Sequence, residues 1–203
     1  PTTVLGQSNF VNSLNNAAIT VTIAEREALD GFFNQGYVIE DSASNIETAV
    51  ADKTTASITT TTLGGANSVN SLNNAAITVT IAEREALGNS YDQGYVIQDS
   101  APNIEMAVAD KTTASITGTT IGGANSVDST DGAITVTIAE REALGDSYDQ
   151  GYVIEDVASN IENALDATIG TTILSGANSV NSTDGAITVT IAEREALGNS
   201  YDQ

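Results

Sequence analysis

Ala76-Ile77-Thr78-Val79-Thr80-Ile81-Ala82-Glu83-Arg84-Glu85-Ala86-Leu87 is the stretch on which the fold turns. Ile77 and Val79 alternate with Thr78 and Thr80, the period of a strand with one buried face. Thr80 then stands three residues before Glu83. At that spacing a threonine hydroxyl meets the third helical amide while the glutamate carboxylate returns to the cap amide. A strand therefore passes directly into a short helix. Gly88 follows Leu87 and offers the positive φ that ends such a helix. The segment Ala-Ile-Thr-Val-Thr-Ile-Ala-Glu-Arg-Glu-Ala-Leu occurs four times, with its arginines Arg26, Arg84, Arg141 and Arg194 spaced 58, 57 and 53 residues apart. These are the only arginines in the chain. Near-identical copies at a nearly fixed period read as a repeat architecture before anything else.

Working outward, a second block, Gly-Tyr-Val-Ile-(Glu/Gln)-Asp, begins at Gly36, Gly94 and Gly151. It reads as a short buried strand, and Asp99 or Ser100 then caps a second helix. The apolar positions of that helix, Ala43, Ile46, Ala49 and Val50 in one copy and Ala158, Ile161, Ala164 and Leu165 in another, fall on one arc. A third strand is expected over Ile116 to Ile121. Strand–helix–strand–helix–strand at this length predicts parallel strands joined by crossovers. The expected fold is a β-rich α/β repeat solenoid, with short helices between parallel strands; the alternative is a string of small β-rich, sandwich-like domains. Residues 1–35 read as a partial repeat unit, 36–93 and 94–150 as repeat units, and 151–203 as a unit with a shorter loop, cut before its next Gly-Tyr-Val-Ile block. The chain thus reads as a processed product or a window of something longer. Length differences between copies fall in polar, small-residue stretches, which are expected to be loops.

The 203 residues carry 27 Asp+Glu against 6 Lys+Arg, a formal charge of −21, and contain no His, Cys or Trp. Such a chain has no electrostatic footprint for nucleic acid or an anionic membrane face. It lacks the usual zinc ligands, thiol nucleophile and imidazole base. Leu, Ile, Val and Phe make up 47 residues, which is enough for a lean core. Ile and Val outnumber Leu, favouring strands. The apolar runs are too short to span a membrane. Composition therefore points to a structural, interaction or ion-binding role and away from an enzyme.

Three sets of residues are candidates for function. The first is the arginines Arg26, Arg84, Arg141 and Arg194. They either make local ion pairs on a solvated helix face or bridge to the neighbouring unit and set the stacking register. Tyr95 and Tyr152 join them as anchors between units. The second is the acidic loops: Asp92 and Asp99, Asp149 and Asp156, and Asp128 with Asp131. Loop carboxylates are what Ca2+ requires, although no copy matches an EF-hand or a Ca2+-binding nonapeptide, and capping explains most of these residues. The third is the Thr-x-Thr rank, Thr20/Thr22, Thr78/Thr80, Thr135/Thr137 and Thr188/Thr190, whose bland reading is the outer face of a strand.

The run Gly151-Tyr152-Val153-Ile154-Glu155-Asp156-Val157-Ala158-Ser159-Asn160-Ile161 resembles the tandem "GGY-x-I-x-D-T-A-x-N-I" units of very large bacterial extracellular proteins. This chain has Ser42-Ala43 or Val157-Ala158 in place of the Thr-Ala step. The resemblance implies a segment of an extracellular or cell-surface fibre, sheath or adhesin stalk. Its partner would be itself, head to tail, with identical units stacking and no polar cap at either end. The alternatives are a Ca2+-rigidified surface module and a domain that binds cell-surface carbohydrate or ice.

Overall fold

The computed structural model describes residues 12–29, 33, 35–55, 63–112, 120–198 and 200–201. Among these residues it is an α/β protein with three small parallel sheets and eight α-helices. The strands are β1 (Ile19–Val21), β2 (Tyr37–Asp41), β3 (Ser68–Ser71), β4 (Ile77–Val79), β5 (Tyr95–Asp99), β6 (Ser126–Ser129), β7 (Ile134–Val136), β8 (Tyr152–Asp156) and β9 (Ser179–Ser182). The helices are α1 (Ile23–Leu29), α2 (Ala43–Thr55), α3 (Ile81–Leu87), α4 (Ala101–Thr112), α5 (Ile138–Leu144), α6 (Ala158–Leu165), α7 (Thr168–Gly176) and α8 (Ile191–Leu197). Sheet orders are β1–β2–β3, β4–β5–β6 and β7–β8–β9. Consecutive neighbours in parallel need a crossover, and the helices supply it. The chain divides into two compact units, residues 1–96 and 97–203.

In the first unit Ile19 lies opposite Tyr37 and Val21 opposite Ile39, while Ile39 lies opposite Val69 on the other side. The second unit repeats this pairing, with Ile134 opposite Tyr152, Val136 opposite Ile154, and Ile154 opposite Val180. Alternation sends Tyr37, Ile39 and Asp41 to one buried face of β2. Ile46 and Val50 of α2 complete the core beside them, both fully buried. Counterparts Tyr152, Ile154 and Asp156 of β8 are buried with Ile161 and Leu165 of α6.

The capping boxes form as their spacing predicts. Thr137 accepts from the Glu140 amide at 3.2 Å and its own amide donates to the Glu140 carboxylate at 2.7 Å. Thr80–Glu83 and Thr190–Glu193 do the same. Gly88, Gly145 and Gly198 end their helices at φ of 55°, 58° and 58°. Asp30 and Gly31, which follow Leu29 where the other copies have this glycine, lie outside the described residues.

Three expectations are corrected. The third strand is Ser126–Ser129 and its counterparts Ser68–Ser71 and Ser179–Ser182, not Ile116 to Ile121. Residues 116–119 lie outside the described set, and Ile121 is a buried turn residue. In the shortened copy the corresponding stretch holds α7 rather than a loop and strand. Nor are the described residues β-rich, because helices hold more of them than strands do. The sheets are open and parallel, with helical crossovers rather than the hairpins of a sandwich.

Candidate functional site

Each three-stranded sheet straddles two of the sequence units 1–35, 36–93, 94–150 and 151–203. With one sheet and its helices counted as one structural repeat, the residues that recur in every copy fall into two groups, those that close a repeat on itself and those that reach the next repeat. The arginines belong to the first group. Arg141 Nη1 donates to the Gly145 carbonyl at 2.8 Å and Nη2 to the Tyr148 carbonyl at 3.0 Å. Its guanidinium lies over the Tyr152 ring, 4.7 Å from the centroid. Arg84 is placed alike on Gly88, Tyr91 and the Tyr95 ring, and Arg26 stacks on Tyr37. Arg194 holds Gly198 and Tyr201. A cation at the C-terminal end of a short helix meets its unpaired carbonyls and its dipole, and the ring beneath adds a cation–π attraction. Thus Arg84 meets Tyr95 and Arg141 meets Tyr152 across the boundaries of the sequence units 36–93, 94–150 and 151–203 but within one sheet's repeat, strapping its first helix to its second strand.

The aspartate that ends the Gly-Tyr-Val-Ile block is a buried connector. Asp156 Oδ2 accepts the Ile138 amide at 3.1 Å, and Oδ1 accepts the Val157 amide and Asn160 Nδ2, each at 2.8 Å. Asp41 accepts from Ile23, Ser42 and Asn45 in the same way. One carboxylate thereby joins the starts of both helices of a repeat to the end of its central strand. Burial pushes the Asp41 carboxyl up, but the bonds from the Asn45 side chain and the Ile23 and Ser42 amides outweigh it and hold it below the usual aspartate range.

These contacts account for two of the proposed Ca2+ ligands. Asp99 and Asp156 are 7 % and 6 % exposed, and Asp99 Oδ1 accepts from Ser100 and Asn103. Asp131 Oδ1 accepts the Ala101 amide at 2.7 Å and the Ser129 hydroxyl, a helix-capping role. Asp92 and Asp149 are exposed and Asp128 is half-buried. Among the described residues no three carboxylates gather where they could hold a metal ion.

The second group reaches between repeats, and sequence reading passed over it. Glu47 of α2 accepts the Thr78 amide of the next repeat's first strand at 2.6 Å. Glu105 accepts from Thr135 and Glu162 from Thr188, each at 2.5 Å. The glutamine before each Gly-Tyr-Val-Ile block makes a second crossing. Gln93 Oε1 accepts the Ser71 amide at 2.7 Å and the Ser71 hydroxyl at 2.6 Å, while its Nε2 donates to Asn74. Gln150 accepts from Ser129 at 2.8 Å and Gln35 from Ser13 at 2.7 Å. The available signal was invariance between copies. Glu47, Glu105 and Glu162, and Gln35, Gln93 and Gln150, never vary, whereas nearby acidic positions alternate between Asp and Asn.

The Thr-x-Thr pairs split by position: Thr20, Thr78, Thr135 and Thr188 are exposed, while Thr80, Thr137 and Thr190 serve as caps. Tyr91 and Tyr148 are fully buried, and burial raises their hydroxyls above the usual tyrosine value. No helix among the described residues is long and apolar enough to cross a membrane.

Comparison with protein-family models, with curated proteins and with solved structures gave no match.

Proposed function

We propose that this chain is a segment of an extracellular bacterial scaffold, a fibre, sheath or adhesin stalk built as an elongated α/β solenoid. Its role is geometric rather than catalytic. The observation that carries this reading is the junction bond made three times over: Glu47 to Thr78, Glu105 to Thr135 and Glu162 to Thr188. A contact of one kind, repeated between successive copies, is what stacking of like units with a fixed step requires. The chemistry that recurs from copy to copy lies in capping, strapping and junctions, and these recurring contacts do not converge on one place as a catalytic site would. The resemblance to repeats of large extracellular proteins supplies the cell-surface setting.

Open stacking of like units continues until something caps it, so the chain associates with itself end to end. Electron microscopy across a concentration series tests this. Rods that lengthen with concentration at constant width support the reading. Particles of one-chain length at every concentration contradict it.

A further inference from the structure

Strand order and register set how each sheet meets a pull along the chain. The first sheet is entered at Ile19, the amino end of β1, and left at Ser71, the carboxyl end of β3, with β2 between them. Both neighbours of β2 run parallel to it. Ile19 lies level with Tyr37 and Ser71 level with Asp41, so entry and exit stand at opposite ends of the sheet. The offset is about 13 Å along the strands and about 10 Å across them. The third sheet repeats this, with Ile134 level with Tyr152 and Ser182 level with Asp156. The junctions keep the direction. Ser71 gives its amide and hydroxyl to Gln93, which stands just before the amino end of β5. Ser129, at the carboxyl end of β6, gives its amide to Gln150, just before the amino end of β8. One sheet's last strand thus ends where the next sheet's central strand begins. Tension handed across a junction enters at an amino end and leaves at a carboxyl end.

We propose that each sheet is a tension-bearing element, loaded in shear by a pull along the chain, and that the chain therefore serves as a tether as well as a spacer. Bonds between parallel strands run across them at even spacing. A pull along the strands strains every bond of a pair together, whereas a pull across them opens the bonds one after another. In the first sheet the loaded pairs are β1 on β2, over Ile19–Val21, and β3 on β2, over Ser68–Ser71. The central strand is held from its buried face. Asp41 takes the Ile23 amide and the Asn45 side chain, one from the start of each helix, and Arg26 covers the Tyr37 ring. Asp156 and Arg141 hold β8 in the same way. The central strand cannot slide past its neighbours without breaking these contacts as well. Forced unfolding reads the height of that barrier rather than equilibrium stability.

The inference goes beyond the scaffold reading and rests on strand order and register, so absence of rods leaves it intact. The chain has no cysteine, and introduced pairs therefore fix the pulling direction in a single-molecule force experiment on the full chain. Ala133→Cys with Thr183→Cys pulls the third sheet along its strands, from the amino end of β7 to the carboxyl end of β9. Ala133→Cys with Ser179→Cys pulls it across them, because both sites lie at amino ends. Ala133 and Thr183 are exposed and Ser179 is half-buried, and circular dichroism checks that each variant is folded. At one loading rate the along-strand pair should give way in a single step, at a force at least about twofold that of the across-strand pair. The step should release the chain between positions 133 and 183, about 150–170 Å of added length. Should a third-sheet variant fail to fold, the first sheet offers the same comparison, Ala18→Cys with Leu72→Cys against Ala18→Cys with Ser68→Cys. A force ratio below about twofold overturns the proposal, as does gradual extension without a discrete step when the pull runs along the strands.

Discussion

In the variant Asp156→Ala, three donors lose their acceptor at once: the Ile138 amide at 3.1 Å, and the Val157 amide and Asn160 Nδ2 at 2.8 Å. The Ile138 bond lies in the buried interior, where an unpaired amide costs about 1–3 kcal/mol. The other two are partly buried and recover part of their loss from water, so each costs about 0.5–1.5 kcal/mol. Removing a carboxylate that is 6 % exposed relieves some desolvation and works against these losses. The net expectation is a destabilisation of about 2–4 kcal/mol. Asp156→Asn keeps an oxygen for Val157 and Asn160 but presents an amide to the Ile138 N–H, so it should cost less, about 1–3 kcal/mol. Asp149→Ala, at an exposed position nearby, should stay within about 0.5 kcal/mol of the parent. Urea unfolding followed by far-ultraviolet circular dichroism, with and without calcium chelator, measures all three. An Asp156→Ala loss equal to that of Asp149→Ala refutes the connector role. A loss seen only when calcium is present would make Asp156 a metal ligand instead.

Other consequences follow from the same contacts. Replacing Glu47, Glu105 and Glu162 together by alanine removes three well-separated bonds to the amides of exposed threonines, for an expected loss of about 1.5–3 kcal/mol in the same assay; a change below about 0.5 kcal/mol contradicts a junction role. Gly145→Ala places a side chain at φ 58°, ψ −144° with no heavy atom within 4 Å, so its cost is backbone strain alone, about 1–3 kcal/mol. Because the folded Asp41 carboxyl is held below its unfolded value, it contributes stability that is full above pH of about 4 and is lost as pH falls through the folded value. A series of unfolding curves from pH 5 to pH 2 should therefore slope downward into acid, and Asp41→Asn should flatten the slope; an unchanged slope rejects the assignment.

Much of the fold was legible in the sequence because the repeat presents each local signal several times. Ile77–Val79 and Thr80–Glu83 carry their period and cap spacing in contiguous residues, and strand, helix and parallel pairing follow from them. The third strand was misplaced because Ser126–Ser129 holds only Val127 as an apolar residue, while the more apolar Ile121 nearby gave the stronger signal. Asp99 and Asp156 looked like loop ligands because charge suggests exposure. Continuing the alternation from Tyr152 through Ile154 would have put Asp156 on the buried face. Arg84 drew attention as a lone cation among acids, yet its guanidinium meets carbonyls and a ring within its own repeat. Junction partners such as Glu47 and Thr78 lie 31 residues apart, and pairing at that range is set by the crossover rather than by any local pattern.

The stacked-scaffold reading is tested most directly by small-angle X-ray scattering from two matched chains, this one and a tandem duplicate joined in register through an added Gly-Tyr-Val-Ile-Glu-Asp half-repeat. The expected result is a rod whose cross-section is unchanged and whose length doubles, with the triple glutamate variant losing that stiffness. A duplicate that scatters as a flexible pair of compact beads, or that thickens without lengthening, contradicts a fixed step from one repeat to the next.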